Sequence, residues 1–105
     1  MPKILVNNAY GGYSVSYDLA RLAGQLGYKR AQTAAETWDR YSEYSLSGDE
    51  DRSHPAMISA YEMLEASGNI EALNDLRIAD IPDDAKWFID DYDGIETVRE
   101  EHRTW

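Results

Sequence analysis

The fold is decided by the stretch Lys3-Ile4-Leu5-Val6-Asn7-Asn8-Ala9-Tyr10-Gly11-Gly12-Tyr13-Ser14-Val15-Ser16. Its first residues are apolar and rich in β-branched side chains, a pattern that predicts a buried strand over residues 3–7. The loop that follows contains Gly11 and Gly12, which can adopt backbone angles closed to other residues. Ser14 and Ser16 then stand as candidate N-caps before a helix.

Two helices have a clear pattern. The first is predicted over about residues 17–26, where apolar side chains recur at spacings of three and four, and Gly27 follows as a C-terminal cap. The second is predicted from Ser53-His54-Pro55 to Gly68-Asn69, with Ser53 as its N-cap and Pro55 in its first turn.

The remaining segments are less regular. Residues 29–38 have a helical composition, residues 41–46 resemble an extended segment, and residues 47–51 form a polar, acidic loop. Alternating apolar side chains predict strands over residues 75–81 and 86–92, joined into a hairpin by Pro82-Asp83-Asp84. The spacing of Ile95, Val98 and His102 predicts a short final helix.

These elements predict one domain over residues 1–105, of the α/β (α+β) class, in the order β-α-(variable)-α-β-β-α. A small mixed sheet of about three strands would carry three or four helices. A right-handed crossover would place the first strand parallel to a strand of the hairpin.

Composition excludes several classes of protein. The chain has no Cys, which removes disulfides, thiolate nucleophiles and Cys-based metal sites. No apolar run approaches the length of a membrane span, so we expect a cytoplasmic protein without membrane contact. Eight Tyr and three Trp suit either half-buried core positions or the rim of a pocket, because their rings are apolar and their edges polar.

The net charge of −10 disfavours direct contact with nucleic acid, because such binding depends on basic clusters that neutralise phosphates. The ten basic residues are spread along the chain without forming a stripe. The acidity indicates either solubility or attraction to a basic partner surface.

The first candidate site is the loop from Asn8 to Ser16. A strand, a glycine loop and a hydroxyl-capped helix start can together hold an anion with backbone amides and the helix dipole. The stretch matches no phosphate-loop motif, and a tight turn that requires glycine is the alternative.

The second candidate is Arg52-Ser53-His54-Pro55, which brings a guanidinium, a hydroxyl and an imidazole to a helix start. Arginine matches the geometry of phosphate or carboxylate groups, although Arg52 could instead pair with a carboxylate at position 49, 50 or 51.

Two further segments contain residues typical of other kinds of site. The acidic run Asp90-Asp91-Tyr92-Asp93-Gly94 does not fit a calcium loop, because Ile89 stands where the first ligand belongs, so no metal is predicted. The tail His102-Arg103-Thr104-Trp105 ends on an aromatic residue and is predicted to dock against the core, a ligand or an oligomer partner. A hydrolase built on Ser14 lacks a nucleophile-elbow sequence.

A family of small tailed-phage proteins has a C-terminal signature that resembles Ile81-Pro82-Asp83-Asp84-Ala85-Lys86-Trp87-Phe88-Ile89-Asp90-Asp91-Tyr92-Asp93-Gly94-Ile95-Glu96 and Glu101-His102-Arg103-Thr104-Trp105. Their opening resembles residues 8–16, and an Arg-x-x-Pro helix start resembles Arg52 to Pro55. The resemblance implies a phage origin and a host-cytoplasm setting, without an established activity. Proteins of this kind are often accessory factors, and some countermeasures to host immunity bind nucleotide-derived signals.

The leading hypothesis is a non-enzymatic phage anti-defence protein, without a cofactor, that sequesters a small anionic, nucleotide-like ligand. Its predicted binding residues are Asn8, Tyr10, Gly11, Gly12, Tyr13, Ser14, Arg52, His54, Arg103 and Trp105. In this hypothesis Arg52→Ala removes binding with little change in melting temperature. The alternative is an acidic protein–protein inhibitor of a host defence enzyme, for example one that imitates nucleic acid. A homo-oligomer is compatible with both hypotheses.

Overall fold

The computed structural model describes residues 3–8, 12–81, 87–92 and 95–99. Within these residues the chain forms four strands, four α-helices and two short 3₁₀ helices: β1 (Lys3–Asn7), α1 (Tyr17–Gln25), α2 (Lys29–Glu36), a 3₁₀ helix at Ser42–Tyr44, α3 (Asp49–Ser53), α4 (Pro55–Ala66), a 3₁₀ helix at Glu71–Leu73, β2 (Leu76–Asp80), β3 (Phe88–Tyr92) and β4 (Ile95–Arg99). This is a mixed α+β fold, as the sequence predicted.

The described strands form two antiparallel pairs rather than one mixed sheet. β1 pairs with β2, with Leu5 opposite Ile78, and β3 pairs with β4, with Ile89 opposite Val98. The predicted hairpin of residues 75–81 with 86–92 and the predicted parallel pairing are therefore wrong. The chain turns back after α4 through Asn74 and Asp75, both left-handed, which delivers β2 to β1 in the antiparallel direction.

The β1–β2 ribbon separates two parts of the core. Leu5 packs on the helix side with side chains such as Leu19 and Met57, whereas Ile4 and Val6 pack on the other side with Val98 of β4. Successive side chains of a strand point to opposite faces, so both faces of β1 are covered and its residues 4–7 are buried.

The first strand and the first helix follow the sequence prediction closely. Ser16 caps α1 by accepting a hydrogen bond from the backbone N–H of Leu19 at 3.0 Å. Gly27 follows the helix at a φ of +107°, a conformation that favours glycine. Helices α1 and α2 approach so closely that a Cβ on Gly24 would lie 2.7 Å from Cα of Gln32.

The N-cap of α4 is His54 rather than the predicted Ser53, which is the last residue of α3. Residues before proline avoid the helical region, and His54 accordingly has extended backbone angles. Its Nδ1 accepts a hydrogen bond from the N–H of Ala56 at 3.1 Å.

Three other predictions are wrong. Residues 41–46 contain a 3₁₀ helix rather than an extended segment, because Asp39 and Ser42 bond each other and the local backbone. Residues 47–51 do not form a loop throughout, because α3 begins at Asp49. The side chain of Asp51 accepts the N–H of Gly48 at 3.1 Å and so stabilises the start of α3. Residues 95–99 form β4 instead of a helix, because their β-branched side chains pair with β3.

Candidate functional site

Tyr13, the last residue of the predicted glycine loop, lies against Arg52. Gly12 has a φ of +89°, and the next residue, Tyr13, turns its side chain into the interior. The Arg52 guanidinium carbon lies 3.8 Å from the centre of the Tyr13 ring, a cation–π arrangement. The Tyr13 hydroxyl makes no hydrogen bond within the described residues, and burial raises its pKa well above its usual range.

Arg52 is committed to an internal ion pair. Its Nη1 and Nη2 donate to Oε1 and Oε2 of Glu96 at 2.7 and 3.0 Å, and its Nε donates to the carbonyl of Ser47 at 2.8 Å. Both charged side chains are about nine-tenths buried. Glu96 also accepts the backbone N–H of Asn7 at 2.8 Å. The pair therefore joins α3, β1 and β4, and its partner is none of the three carboxylates considered from the sequence.

A second polar cluster surrounds Asp51, whose side chain is buried. The Tyr28 hydroxyl donates to Oδ1 of Asp51. Arg30 donates from Nε to Oδ1 at 3.0 Å and from Nη2 to Oδ2 at 3.3 Å. His54 stacks on the Tyr28 ring at 3.7 Å between centres. Burial and the bond to Asp51 raise the pKa of Tyr28 to about 12. The imidazole of His54 thus supports this cluster and caps α4.

The other predicted loop residues make structural contacts. The N–H of Asn8 donates to the carbonyl of Asp75 at 2.9 Å. The Ser14 hydroxyl accepts a hydrogen bond from Asn74 Nδ2 at 2.6 Å. These bonds tie the loop to the turn before β2, whereas Tyr13 ties it to Arg52.

Several predicted positions lie outside the described residues: Tyr10, Gly11, His102, Arg103 and Trp105, with the predicted turn at 82–84 and residues 93–94 of the acidic run.

The sequence reasoning missed a groove of about 480 Å³ along α2, which we call the α2 groove. Helix α2 contributes Lys29, Arg30 and Thr33, and Thr37 directly follows the helix. Thr33 lies four residues after Lys29 and three after Arg30, and Thr37 lies four residues further on, so these side chains lie along one side of the helix. These cations and threonines are visible in the sequence, but whether they line a groove depends on the segment that packs opposite them.

The opposite wall is formed by Ser42 of the first 3₁₀ helix and by Ser45 and Leu46, which directly follow that helix. Leu46 is buried, and together with Ala34 of α2 it adds apolar surface to the groove. Within the described residues Lys29 has no ion-pair or hydrogen-bond partner, and no carboxylate lines the groove. An apolar groove with a few polar groups around it is the usual form of a small-molecule site.

A smaller groove of about 250 Å³ lies between α1 and α2. It contains Arg21 and Tyr17, and the Tyr17 ring meets the edge of Trp38 at 5.5 Å between centres. Gly24 and Gln32, where the two helices approach each other, also line it.

Within the described residues, His, Asp and Glu side chains form no group of three suited to a metal ion. The helices in this part of the chain are too short or too polar to cross a bilayer. No protein-family model, curated protein or solved structure matches the chain.

Proposed function

We propose that this protein is a non-enzymatic binding module that captures a small anionic ligand in the α2 groove. The observation that carries the proposal is the ammonium group of Lys29, which has no partner within the described residues and stands beside an apolar floor. A cation without an internal partner within the described residues favours an anionic ligand at this position, although the net charge of −10 acts against anions at long range.

The size and lining of the α2 groove support the proposal. Sites for small molecules usually measure roughly 300–1,000 Å³, with apolar surface for the ligand body and few polar groups for orientation. The groove has about 480 Å³, with Leu46 and Ala34 as its apolar part. Arg30 lines the groove beside Lys29, and its Nη1 makes no hydrogen bond to the described residues.

This location differs from the one expected from the sequence. Arg52 was the expected source of charge, but its guanidinium is buried against Glu96 and Tyr13. We therefore assign Arg52 to the support of the fold and Lys29 to the ligand. The same reasoning favours binding over catalysis, since Ser14 is bonded to Asn74 and His54 to the backbone of α4.

The phage setting, the host cytoplasm and a nucleotide-derived host signal extend this proposal. They come from the sequence resemblance alone, and the contacts of the α2 groove do not depend on them.

The test is a titration of ¹⁵N-labelled protein with hexanoate, followed by amide chemical shifts. We expect saturable shifts at Thr33, Ala34 and Leu46, and their loss in Lys29→Gln. Arg21→Gln is the matched control, because it removes one exposed positive charge from the other groove. Shifts that persist in Lys29→Gln would refute the proposal, as would a lack of saturable binding by hexanoate and by phosphate esters alike.

The net charge supports a second candidate, an acidic inhibitor of a basic host protein. Immobilised protein would then retain a host protein through washes at moderate salt, and substitution of exposed acids such as Glu62 and Glu65 would weaken retention. If these substitutions leave the retention unchanged, the result counts against this candidate.

A further inference from the structure

We infer that the α2 groove selects a singly charged head group, a carboxylate or a phosphodiester, over a phosphomonoester dianion. This inference rests on the proposed function and narrows the class of its ligand. Its basis is the number of positive charges and hydrogen-bond donors that the groove leaves unused.

The groove has a net charge of about one. Lys29 and Arg30 supply two positive charges, but Arg30 lies 3.0 Å from the buried carboxylate of Asp51, which balances one of them. The carboxylate is held in place by the Tyr28 hydroxyl and the Gly48 N–H as well, so it stays beside Arg30. Only the charge of Lys29 remains without a counter-ion within the described residues.

Most hydroxyl hydrogens of the groove are already donated. Thr37 donates to the carbonyl of Thr33 at 2.9 Å, Ser45 donates to the carbonyl of Ser42 at 2.7 Å, and Ser42 donates to Asp39 at 3.3 Å. A hydroxyl that has donated its hydrogen can only accept from a ligand. These three oxygens therefore favour ligand N–H or O–H groups and offer nothing to an anion.

Three side-chain groups are left as donors to an anion: the Lys29 ammonium, Arg30 Nη1 and the Thr33 hydroxyl, which makes no hydrogen bond within the described residues. A carboxylate and a phosphodiester each present one charge and two free oxygens, which these donors satisfy. A phosphomonoester brings a third oxygen and a second charge at about pH 8. The groove offers that second charge no further unbalanced cation within the described residues, so losing part of its hydration there is unfavourable.

The experiment compares ligands that share one body. Hexanoate, hexyl phosphate and 1-hexanol carry the same alkyl chain with different head groups, and 3′,5′-cyclic AMP and 5′-AMP carry the same nucleoside. The measurements are made at about pH 8, where phosphomonoesters are dianions. We expect hexanoate to bind about tenfold more tightly than hexyl phosphate, or 3′,5′-cyclic AMP about tenfold more tightly than 5′-AMP, or both. The uncharged 1-hexanol should bind more weakly than hexanoate. Preference confined to the first pair assigns a carboxylate, and preference confined to the second assigns a phosphodiester.

Two exposed substitutions on α2 vary the charge without touching the buried cluster. Lys29→Gln lowers it to about zero, and hexanoate should then bind no better than 1-hexanol. Thr33→Lys raises it to about two, and the preference for the monoanion should shrink or reverse. Thermal melting of both variants verifies that the fold is retained.

The outcomes separate the two proposals. Equal or tighter binding of both monoesters by the unmodified protein overturns the selectivity and leaves the proposed function standing. A lack of saturable binding by every charged probe overturns the proposed function itself. A monoanion preference that Thr33→Lys leaves unchanged also overturns the selectivity, because the charge balance would then not be its cause.

Discussion

Arg52 and Glu96 face each other in the interior as a two-pronged ion pair, although 44 residues separate them in the chain. The pair is closed on one side by the Tyr13 ring and on another by the backbone of Asn7. Three segments distant in sequence thus share one buried charge pair. The pair helps to hold β4 against the rest of the fold.

Glu96→Gln should destabilise the protein by about 3 kcal/mol or more, because it leaves the buried Arg52 without a counter-charge. The matched control is Asp90→Asn, which breaks the pair of Asp90 with Arg99, at 2.8 Å and about half exposed. That change should cost about 1 kcal/mol or less. Urea unfolding followed by circular dichroism gives both values, and similar losses would contradict the structural role of the buried pair.

By the same reasoning Arg52→Ala should lower the melting temperature, unlike the expectation from the sequence.

His54→Ala should cost about 1 kcal/mol more than His54→Asn. Both changes remove the ring that stacks on Tyr28, but asparagine can still accept the N–H of Ala56 at the start of α4. The difference between the two variants therefore isolates the N-cap. Their urea midpoints provide the measurement, and equal midpoints would show that the cap contributes nothing.

Local patterns predicted the local elements. Residues 3–7 and 17–25 carry their own hydrophobic periodicity, and Ser16 and Gly27 mark the ends of α1, so β1 and α1 were read correctly. The α2 segment was recognised by composition alone. Pairing of strands depends on residues far apart, and the antiparallel partner of β1 could not be chosen from sequence.

The errors near the end of the chain have a physical reason. Ile95 and Val98 are three residues apart, which fits one face of a helix, but Val98 and Glu96 also share one face of a strand. Glu96 is buried because Arg52 neutralises it, and the local sequence around Glu96 gives no sign of that distant partner. The α2 groove was missed because its second wall is a 3₁₀ helix that the sequence did not indicate.

Gly24→Ala should destabilise the protein by about 1–3 kcal/mol, because the new methyl group would meet the backbone of α2. A Cβ at this position lies 2.7 Å from Cα and 2.8 Å from N of Gln32, and a backbone cannot rotate away as a side chain can. Gln25→Ala, at an exposed position in the same helix, should be neutral or slightly stabilising. Thermal or urea unfolding of both variants tests this, and a stabilised Gly24→Ala would show that the two helices can separate at little cost.

Alkaline pH should lower the free energy of unfolding, because Tyr28 ionises more readily in the unfolded chain than in the folded protein. Its pKa is about 12 in the folded protein, raised from 10.0 by burial and by the bond to Asp51. Between these two values the unfolded chain has lost the proton that the folded chain keeps, so the free energy of unfolding falls as pH rises. The contribution of this raised pKa is fully present below about pH 10 and is lost toward pH 12.

Tyr28→Phe removes this ionisation, so its free energy of unfolding should fall less steeply over the same pH range. At neutral pH the variant should be less stable by about 1.5–3 kcal/mol, since a hydrogen bond to a charged group is lost. The two stability curves should therefore converge as pH rises. Urea midpoints measured at intervals across this range, with tyrosinate absorbance recorded in parallel, give the slopes. Parallel curves would mean that ionisation of Tyr28 is not linked to unfolding.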